Sequence, residues 1–205
     1  ADGKLHLLNL ADESVTPVEI SVVTDMIMLK TKVENVKNLM QSADISHDGK
    51  RVVVEARGEL FSVPAEKGYV KNLTNTSGVA ERSPAWSPDG KKIAFWSDES
   101  GEYQLHVLDL ETGMQQKLTN YTSGFRYQLY WSRNSEMLAF IDQAMEIKIY
   151  NTKTIQTIDV DKALWKFEGG LRNFSVDWSA DSRWLVYDRG EDNRNSSIFI
   201  FDTSN

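Results

Sequence analysis

Four short blocks recur along the chain: Asp44-Ile-Ser-His-Asp-Gly-Lys50, Ala85-Trp-Ser-Pro-Asp-Gly-Lys91, Tyr130-Trp-Ser-Arg-Asn-Ser-Glu136 and Asp177-Trp-Ser-Ala-Asp-Ser-Arg183. Their serines, Ser46, Ser87, Ser132 and Ser179, stand 41, 45 and 47 residues apart. Self-similarity at that period is the signature of a four-stranded β-propeller blade. A chain that carries it four times has little freedom to fold otherwise.

Each block reads as the end of a strand followed by a tight turn. The residue before the serine is large and apolar (Ile45, Trp86, Trp131, Trp178) and suits the contact between neighbouring blades. In the turn, proline pre-sets φ, aspartate caps local amides and glycine accepts positive φ. Alternating segments follow at 51–56, 92–96, 137–141 and 184–187, and again at 59–63, 104–110, 146–150 and 197–201. Period-two alternation with β-branched and aromatic residues is the strand signal. A polar fourth strand ends twice in Leu-Thr-Asn, at 73–75 and 118–120, as befits an exposed blade edge.

The expected fold is therefore all-β: a β-propeller of tandem four-stranded antiparallel blades in an incomplete ring. Blades are expected at about 42–75, 83–120, 128–160 and 175–205, the last lacking its outer strand. Residues 1–25 read as the trailing hairpin of a preceding blade or propeller, with strands at 4–10 and 15–23. Residues 26–41 read as a junction, a short helix or an irregular linker, because Val33, Val36, Leu39 and Met40 follow helical spacing. Ends that fall within or between blades suggest truncation. Unpaired edges predict self-association or a partly disordered terminus.

Composition narrows the function. The formal net charge is −7, which argues against nucleic acid as a partner, since that needs a basic footprint. No apolar run approaches the 18 or more residues of a membrane-spanning helix, and no signal peptide is visible at Ala1. With no cysteine the redox compartment stays open, so cytoplasm and periplasm are both allowed.

Candidate chemistry is sparse. His6 and His106 sit between apolar residues within strands, and His47 takes the proline position of its turn. No Gly-x-Ser-x-Gly elbow occurs, so no catalytic residue is assigned. Asp188, Glu191, Asp192, Asn193 and Asn195 form an oxygen-rich loop, but without the Asp-x-Asp-x-Asp-Gly calcium pattern and with Arg189 and Arg194 interspersed. It reads as a solvated hairpin, as does 98–102. No metal or cofactor is expected. Trp86, Trp131 and Trp178 read as inter-blade core, while Trp165, Phe167 and Gly169-Gly170 lie in a long connection that a lid or contact surface would explain.

The most suggestive constellation is Arg82, Arg126 and Arg172, each shortly before a blade tryptophan. All three fall in loops entering an innermost strand, and those loops gather at the mouth of the central channel. Guanidinium groups there suit carboxylates of peptides. The plainer reading pairs each with a nearby acid, such as Arg82 with Glu81 or Asp89.

The Ser-Pro-Asp-Gly-Lys block resembles blades of the accessory protein of the bacterial Tol system, of dipeptidyl peptidase IV relatives and of tricorn-type proteases. A longer stretch is similar to the N-terminal region of tricorn-like serine proteases. It comprises 43–68, Lys71-Asn-Leu-Thr74, Gly78-Val-Ala-Glu-Arg-Ser-Pro-Ala-Trp-Ser-Pro-Asp-Gly90 and Ser97-Asp-Glu-Ser-Gly-Glu-Tyr103. The likeness is densest over 43–110, about a third of the chain. It thins beyond residue 120, where Ser135 and Ser182 replace turn glycines. That resemblance implies that 1–25 ends a first propeller and 42–205 begins a second. It also implies an oligomeric parent peptidase whose propellers guide peptides to a catalytic domain that no stretch here matches. The expected partners are peptides or proteins and the rest of the parent chain. The alternative is an independent propeller scaffold that binds proteins, similar to the Tol-associated one.

Overall fold

The turn blocks close with one repeated set of hydrogen bonds. In a computed structural model the serine Oγ donates to the residue two ahead (Ser46 to Asp48, Ser87 to Asp89, Ser132 to Asn134, Ser179 to Asp181). The same Oγ accepts the amide five ahead, from Arg51, Lys92, Met137 and Trp184, at 2.9–3.0 Å. The amides of Gly49, Gly90, Ser135 and Ser182 donate back to the serine carbonyl at 2.8–2.9 Å. Each turn thus satisfies its own main chain before any tertiary contact is made.

The structure describes residues 5–21, 35–165, 168–193 and 195–204. By its contacts the chain divides into two units, which meet at Asn35 and Val36. In the first, β1 (Leu5–Leu8) pairs antiparallel with β2 (Val15–Val18), and Leu5, Leu7 and Leu10 are exposed.

The second unit is a propeller of four blades. Blade 1 holds β3 (Met40–Ile45), β4 (Arg51–Ala56), β5 (Glu59–Pro64) and β6 (Lys71–Asn72). Blade 2 holds β7 (Glu81–Trp86), β8 (Lys92–Ser97), β9 (Gln104–Asp109) and β10 (Gln115–Lys117). Blade 3 holds β11 (Tyr130–Trp131), β12 (Met137–Ile141), β13 (Glu146–Asn151) and β14 (Gln156–Lys162). Blade 4 holds β15 (Val176–Trp178), β16 (Trp184–Gly190) and β17 (Ser196–Asp202). All neighbouring strands are antiparallel.

The first blade begins at Met40, two residues before the position expected from the repeat, and a three-residue 3-10 helix, Lys37–Leu39, leads into it. Val33, invoked in the junction, lies outside the described residues. The long connection into blade 4 contains a short helix that the repeat did not foretell, α1 (Glu168–Arg172).

The outer strands of blades 1 and 2 are shorter than the polar segments that suggest them, and Leu-Thr-Asn explains why. Leu73 and Leu118 amides still bond the Leu60 and Leu105 carbonyls of the third strand, at 2.7 and 2.8 Å. The next rung is made by a side chain: Thr74 Oγ1 accepts the Leu60 amide at 3.2 Å and Thr119 Oγ1 accepts the Leu105 amide at 2.9 Å. Threonine thereby continues the ladder after the backbone has turned away.

The core lies between blades. Val53 and Leu60 pack on Ile93, Phe95 and Leu108; Ala94, Trp96 and Leu105 pack on Leu138, Phe140 and Tyr150; Ala139, Ile147 and Ile149 pack on Leu185 and Tyr187. All three indoles pack in the inter-blade core as expected, Trp86 against the cluster of blades 1 and 2, but their N–H partners differ. Trp131 Nε1 donates to Ala85 O at 3.0 Å and Trp178 Nε1 to Tyr130 O at 3.2 Å, each bridging to the preceding inner strand. Trp86 instead donates to Gly90 O of its own turn. Ile45 departs from the inter-blade role and stands in solvent.

Two serines that occupy glycine positions also bridge blades. Ser135 and Ser182 hold φ of 59° and 61°. Ser135 Oγ accepts the Asp89 amide at 3.0 Å, and Ser182 Oγ accepts the Asn134 amide at 2.9 Å. The connection around Trp165 is fixed differently. Its carbonyl oxygen would lie 2.0 Å from a Cβ at Gly190, so only glycine admits this crossing, and the Leu164 amide bonds Gly190 O at 3.1 Å. The connection for which a lid or contact surface was expected is thus packed on blade 4 at Trp165, while Phe167 lies outside the described residues.

Candidate functional site at the inner-strand mouth

Residues of blades 1 and 2 and of the segments leading into blades 3 and 4 line one cavity of about 400 Å³. Blade 1 gives Gln41, Ser42 and Glu55, and blade 2 gives Arg82 and Ser83. The segment before β11 gives Phe125, Tyr127 and Gln128, and the one before β15 gives Arg172 and Asn173. A neighbouring cavity of about 510 Å³ shares Gln41, Glu55 and Arg82 and runs on to Gly58 and Ala80.

A kink in β7 shapes the blade 2 wall. The pairing register shifts between Arg82 and Ala85, and Ser83 takes φ of 51°. A bulge re-aims the side chains next to it. The strain of a left-handed serine is offset by an acceptor across the blade boundary, because the Ser83 amide donates to Glu55 Oε2 at 3.1 Å. Ser42 Oγ donates to the same oxygen. Glu55 is a buried carboxylate of the cavity lining that fastens two inner strands.

Arg82 is exposed, with its guanidinium carbon 5.5 Å from the Tyr103 ring centroid. Tyr103, Phe125 and Tyr127 form an edge-to-face series, at 6.1 and 5.0 Å between centroids. Burial raises the Tyr103 phenol above its ordinary pKa, so it stays a neutral donor. The series is held from beneath by Trp96 Nε1, which donates to Tyr127 O at 2.7 Å.

The three arginines singled out by the repeat are placed differently. Arg82 and Arg172 line the cavity. Arg172 ends α1, whose Leu171 is buried in the core. Arg126 is only 7% exposed and is turned into the loop it belongs to. It donates to the carbonyls of Gly124 and Ser123 at 2.8 Å and of Tyr103 at 3.3 Å, and lies 3.8 Å over the Tyr121 ring. Glu102 Oε1 stands 4.0 Å away. Burial lowers the Arg126 pKa from its ordinary value, but a guanidinium stays charged in any folded protein. Nor does Arg82 use Glu81. That carboxyl is fully buried, accepts from Thr76 Oγ1 at 2.5 Å, and leaves Oε2 without a hydrogen-bond partner.

None of the three histidines lines the cavity. His6 is exposed on the first unit, His47 borders an outer groove, and His106 is buried with Nδ1 2.8 Å from Gln115 Nε2. Ser42 therefore has Glu55 and no histidine beside it in the cavity lining. In the acidic loop, Asp188 Oδ1 accepts the Ser175 amide, Glu191 pairs with Arg189 and Asn193 Oδ1 caps Asn195. Among the described residues no three His, Cys, Asp or Glu side chains gather to hold a metal. The cavity lining combines the guanidinium groups of Arg82 and Arg172, an aromatic wall, and amides from Gln41, Gln128 and Asn173. Glu55 and the kinked β7 were missed by sequence reasoning. A buried glutamate in a strand carries no signal without knowledge of its cross-blade partners.

The fold and this mouth define a blade-repeat propeller protein. The family model of the tricorn protease second β-propeller domain matches residues 40–205, and the chain belongs to that family. Among curated proteins it is similar to the Tol-Pal system protein TolB of Wigglesworthia glossinidia brevipalpis, 37% identical over 54 residues. That match covers 26% of this chain and 12% of the relative. The TolB of Hahella chejuensis is 49% identical over 39 residues, 19% of this chain and 9% of that protein. Among solved structures, the tricorn protease aligns with a TM-score of 0.69 at 17% identity, over 98% of this chain and 19% of that one. TolB from Acinetobacter baumannii aligns with a TM-score of 0.61 at 16% identity, over 98% and 46%. The structural likenesses speak to fold.

Proposed function

We propose that this propeller is a non-catalytic module that receives peptide segments at its inner-strand mouth and guides them in a tricorn-like peptidase. The observation that carries the reading is the shared cavity, where Arg82 and Arg172 lie beside the Phe125–Tyr127 wall. A guanidinium recognises a carboxylate through paired N–H donors, and an aromatic wall takes the adjoining apolar side chain. Arg126 serves this reading indirectly, by holding the loop that presents Phe125.

Fluorescence anisotropy with labelled unstructured peptides tests it. Peptides with a free C-terminal carboxylate should bind, C-terminal amidation should weaken them, and Arg82→Ala with Arg172→Ala should weaken them similarly. Binding indifferent to both changes sinks the proposal. The purified chain should leave such peptides uncleaved.

A second reading is a protein-binding scaffold of the TolB kind, favoured by the curated relatives, all of those named above being TolB proteins. It predicts binding to a folded partner and indifference to peptide C-terminal chemistry.

A further inference from the structure

A serine ties one turn to the turn before it at two blade junctions. Ser135 Oγ accepts the Asp89 amide between blades 2 and 3, and Ser182 Oγ accepts the Asn134 amide between blades 3 and 4. Between blades 1 and 2 the corresponding amide is that of Asp48, and the serine position is Gly90, which has no hydroxyl to offer. The indole bridge is absent from the same junction. Trp131 and Trp178 are buried and donate to the preceding blade, whereas Trp86 is half-buried and donates to Gly90 O of its own turn at 3.3 Å.

A groove of about 600 Å³ opens where these two fastenings are missing. Asp48, Arg51 and Pro64 line it from blade 1, and Trp86, Asp89 and Gly90 from blade 2. Both walls therefore lie within the chain. Arg51 alternates along β4 with Val53 and Glu55, which turn toward blade 2: Val53 packs on Ile93, and Glu55 accepts the Ser83 amide. The groove sits at the Arg51 end of β4, away from Glu55 and the mouth.

It is also a basic spot on an acidic chain. Lys50, Arg51 and Lys67 face the carboxylates of Asp48 and Asp89, where the whole chain carries a formal net charge of −7. Both carboxylates already serve their own turns. Asp48 Oδ1 accepts from Ser46 Oγ at 2.8 Å and the Lys50 amide at 3.1 Å, and Asp89 Oδ1 from Ser87 Oγ at 2.6 Å and the Lys91 amide at 3.0 Å. Asp48 Oδ2 stands 3.5 Å from Lys50 Nζ, a weak pair because that lysine is 80% exposed. Arg51 is fixed by Nε on Ser62 Oγ at 2.6 Å and Nη2 on Ser62 O at 2.9 Å, and Nη1 takes part in neither bond. A fixed guanidinium with two exposed ammonium groups suits a carboxylate, and an indole beside a proline suits an adjoining apolar group.

We propose that this groove binds an acidic peptide segment. A glutamate or aspartate carboxylate sits among Arg51, Lys50 and Lys67 and gives the Asp48 amide the oxygen that Ser135 and Ser182 give its counterparts. A neighbouring apolar side chain lies on Trp86. The site is separate from the mouth and does not depend on its role.

Fluorescence anisotropy with the 205-residue chain tests this. The probe is a hexapeptide of alternating glutamate and leucine, labelled at its N-terminus and amidated at its C-terminus, so that it brings no terminal carboxylate to the mouth. It should bind at least tenfold more tightly than the same peptide with glutamine for glutamate. Lys50→Glu with Lys67→Glu, both at exposed positions, should weaken it at least tenfold. Gly90→Ser, whose added Cβ meets nothing within 4 Å, sets a hydroxyl of the chain against the Asp48 amide and should weaken it too. Arg82→Ala with Arg172→Ala should still bind it, and circular dichroism checks that each variant folds. Equal binding of the glutamine peptide overturns the proposal, as does indifference to the lysine reversals or to Gly90→Ser. Loss of binding in the Arg82, Arg172 variant overturns it as well, by placing the acidic peptide in the mouth.

Discussion

Ser135 and Ser182 show how one side chain can both strain and fasten a turn. A non-glycine residue at positive φ costs roughly 1 kcal/mol. The hydroxyl offsets this by accepting an amide from the preceding blade. Ser135→Ala keeps the strain and loses the bond, so it should destabilise by about 1 kcal/mol in urea unfolding. Ser135→Gly loses the bond and relieves the strain, so it should fall nearer wild type. The missing glycines were visible in the sequence. Their compensation was not, since the partner amide lies 46 or 48 residues earlier.

Two buried ionisable side chains should give stability opposite pH trends. Burial raises the Glu81 carboxyl above its ordinary pKa, and the nearby Glu59 and Asp98 charges add to the rise. The folded state therefore holds this proton more tightly than the unfolded one. Its contribution is present at acid pH and is lost as pH rises through the raised value. His106 is the converse: burial lowers its pKa. Its contribution is present above about 6.5, the unfolded value, and is lost as pH falls toward the folded value. Glu81→Gln should flatten the loss on the alkaline side of the carboxylate range, and His106→Gln should flatten the loss below neutrality. Urea midpoints between pH 4 and 8 read both. Identical pH profiles for wild type and variants would contradict these assignments.

At the scale of the element, strands were legible because alternation and turn chemistry agree. Gly49 and Gly90 hold φ of 69° and 72° in turns whose aspartates cap them. Elements defined by partners in other blades were less legible. β6 is two residues long because its ladder passes to Thr74, and α1 arises in a connection with no periodic pattern. The threonine rung gives a sharp test. Thr119→Val preserves shape but leaves the buried Leu105 amide without its acceptor, which should cost about 1–3 kcal/mol. The same change at an exposed threonine such as Thr112 should cost less.

The candidate site divides the same way. Arg82, Arg126 and Arg172 were found from their spacing and expected in loops, but Arg82 lies within β7 and Arg172 ends α1, so spacing assigns only the approach to an inner strand. It cannot foresee that Arg126 folds back onto the carbonyls of Ser123 and Gly124.

For the whole molecule, stability should vary with blade position. A stack of repeats draws much of its stability from nearest-neighbour interfaces. β8, β9, β12 and β13 lie in blades with neighbours on both sides, whereas β17 exposes Ile198 and Ile200. Hydrogen exchange should be slowest in blades 2 and 3 and fastest in β17 and β6. Uniform protection across the four blades would argue for a single cooperative unit instead.

The serine bridge also bears on how such a chain changes its blade number. Its donor is a main-chain amide in the preceding turn, supplied by Asp89 in one case and Asn134 in the other. The turn at Asp48 repeats that geometry. Excising one whole period would therefore set Ser135 against Asp48 with the fastening still available. Recombination in steps of a full repeat keeps this serine bridge, whereas a shift by half a repeat would break both bridges at once. Propellers fastened in this way are free to gain and lose units in the course of evolution without redesigning the joints between them.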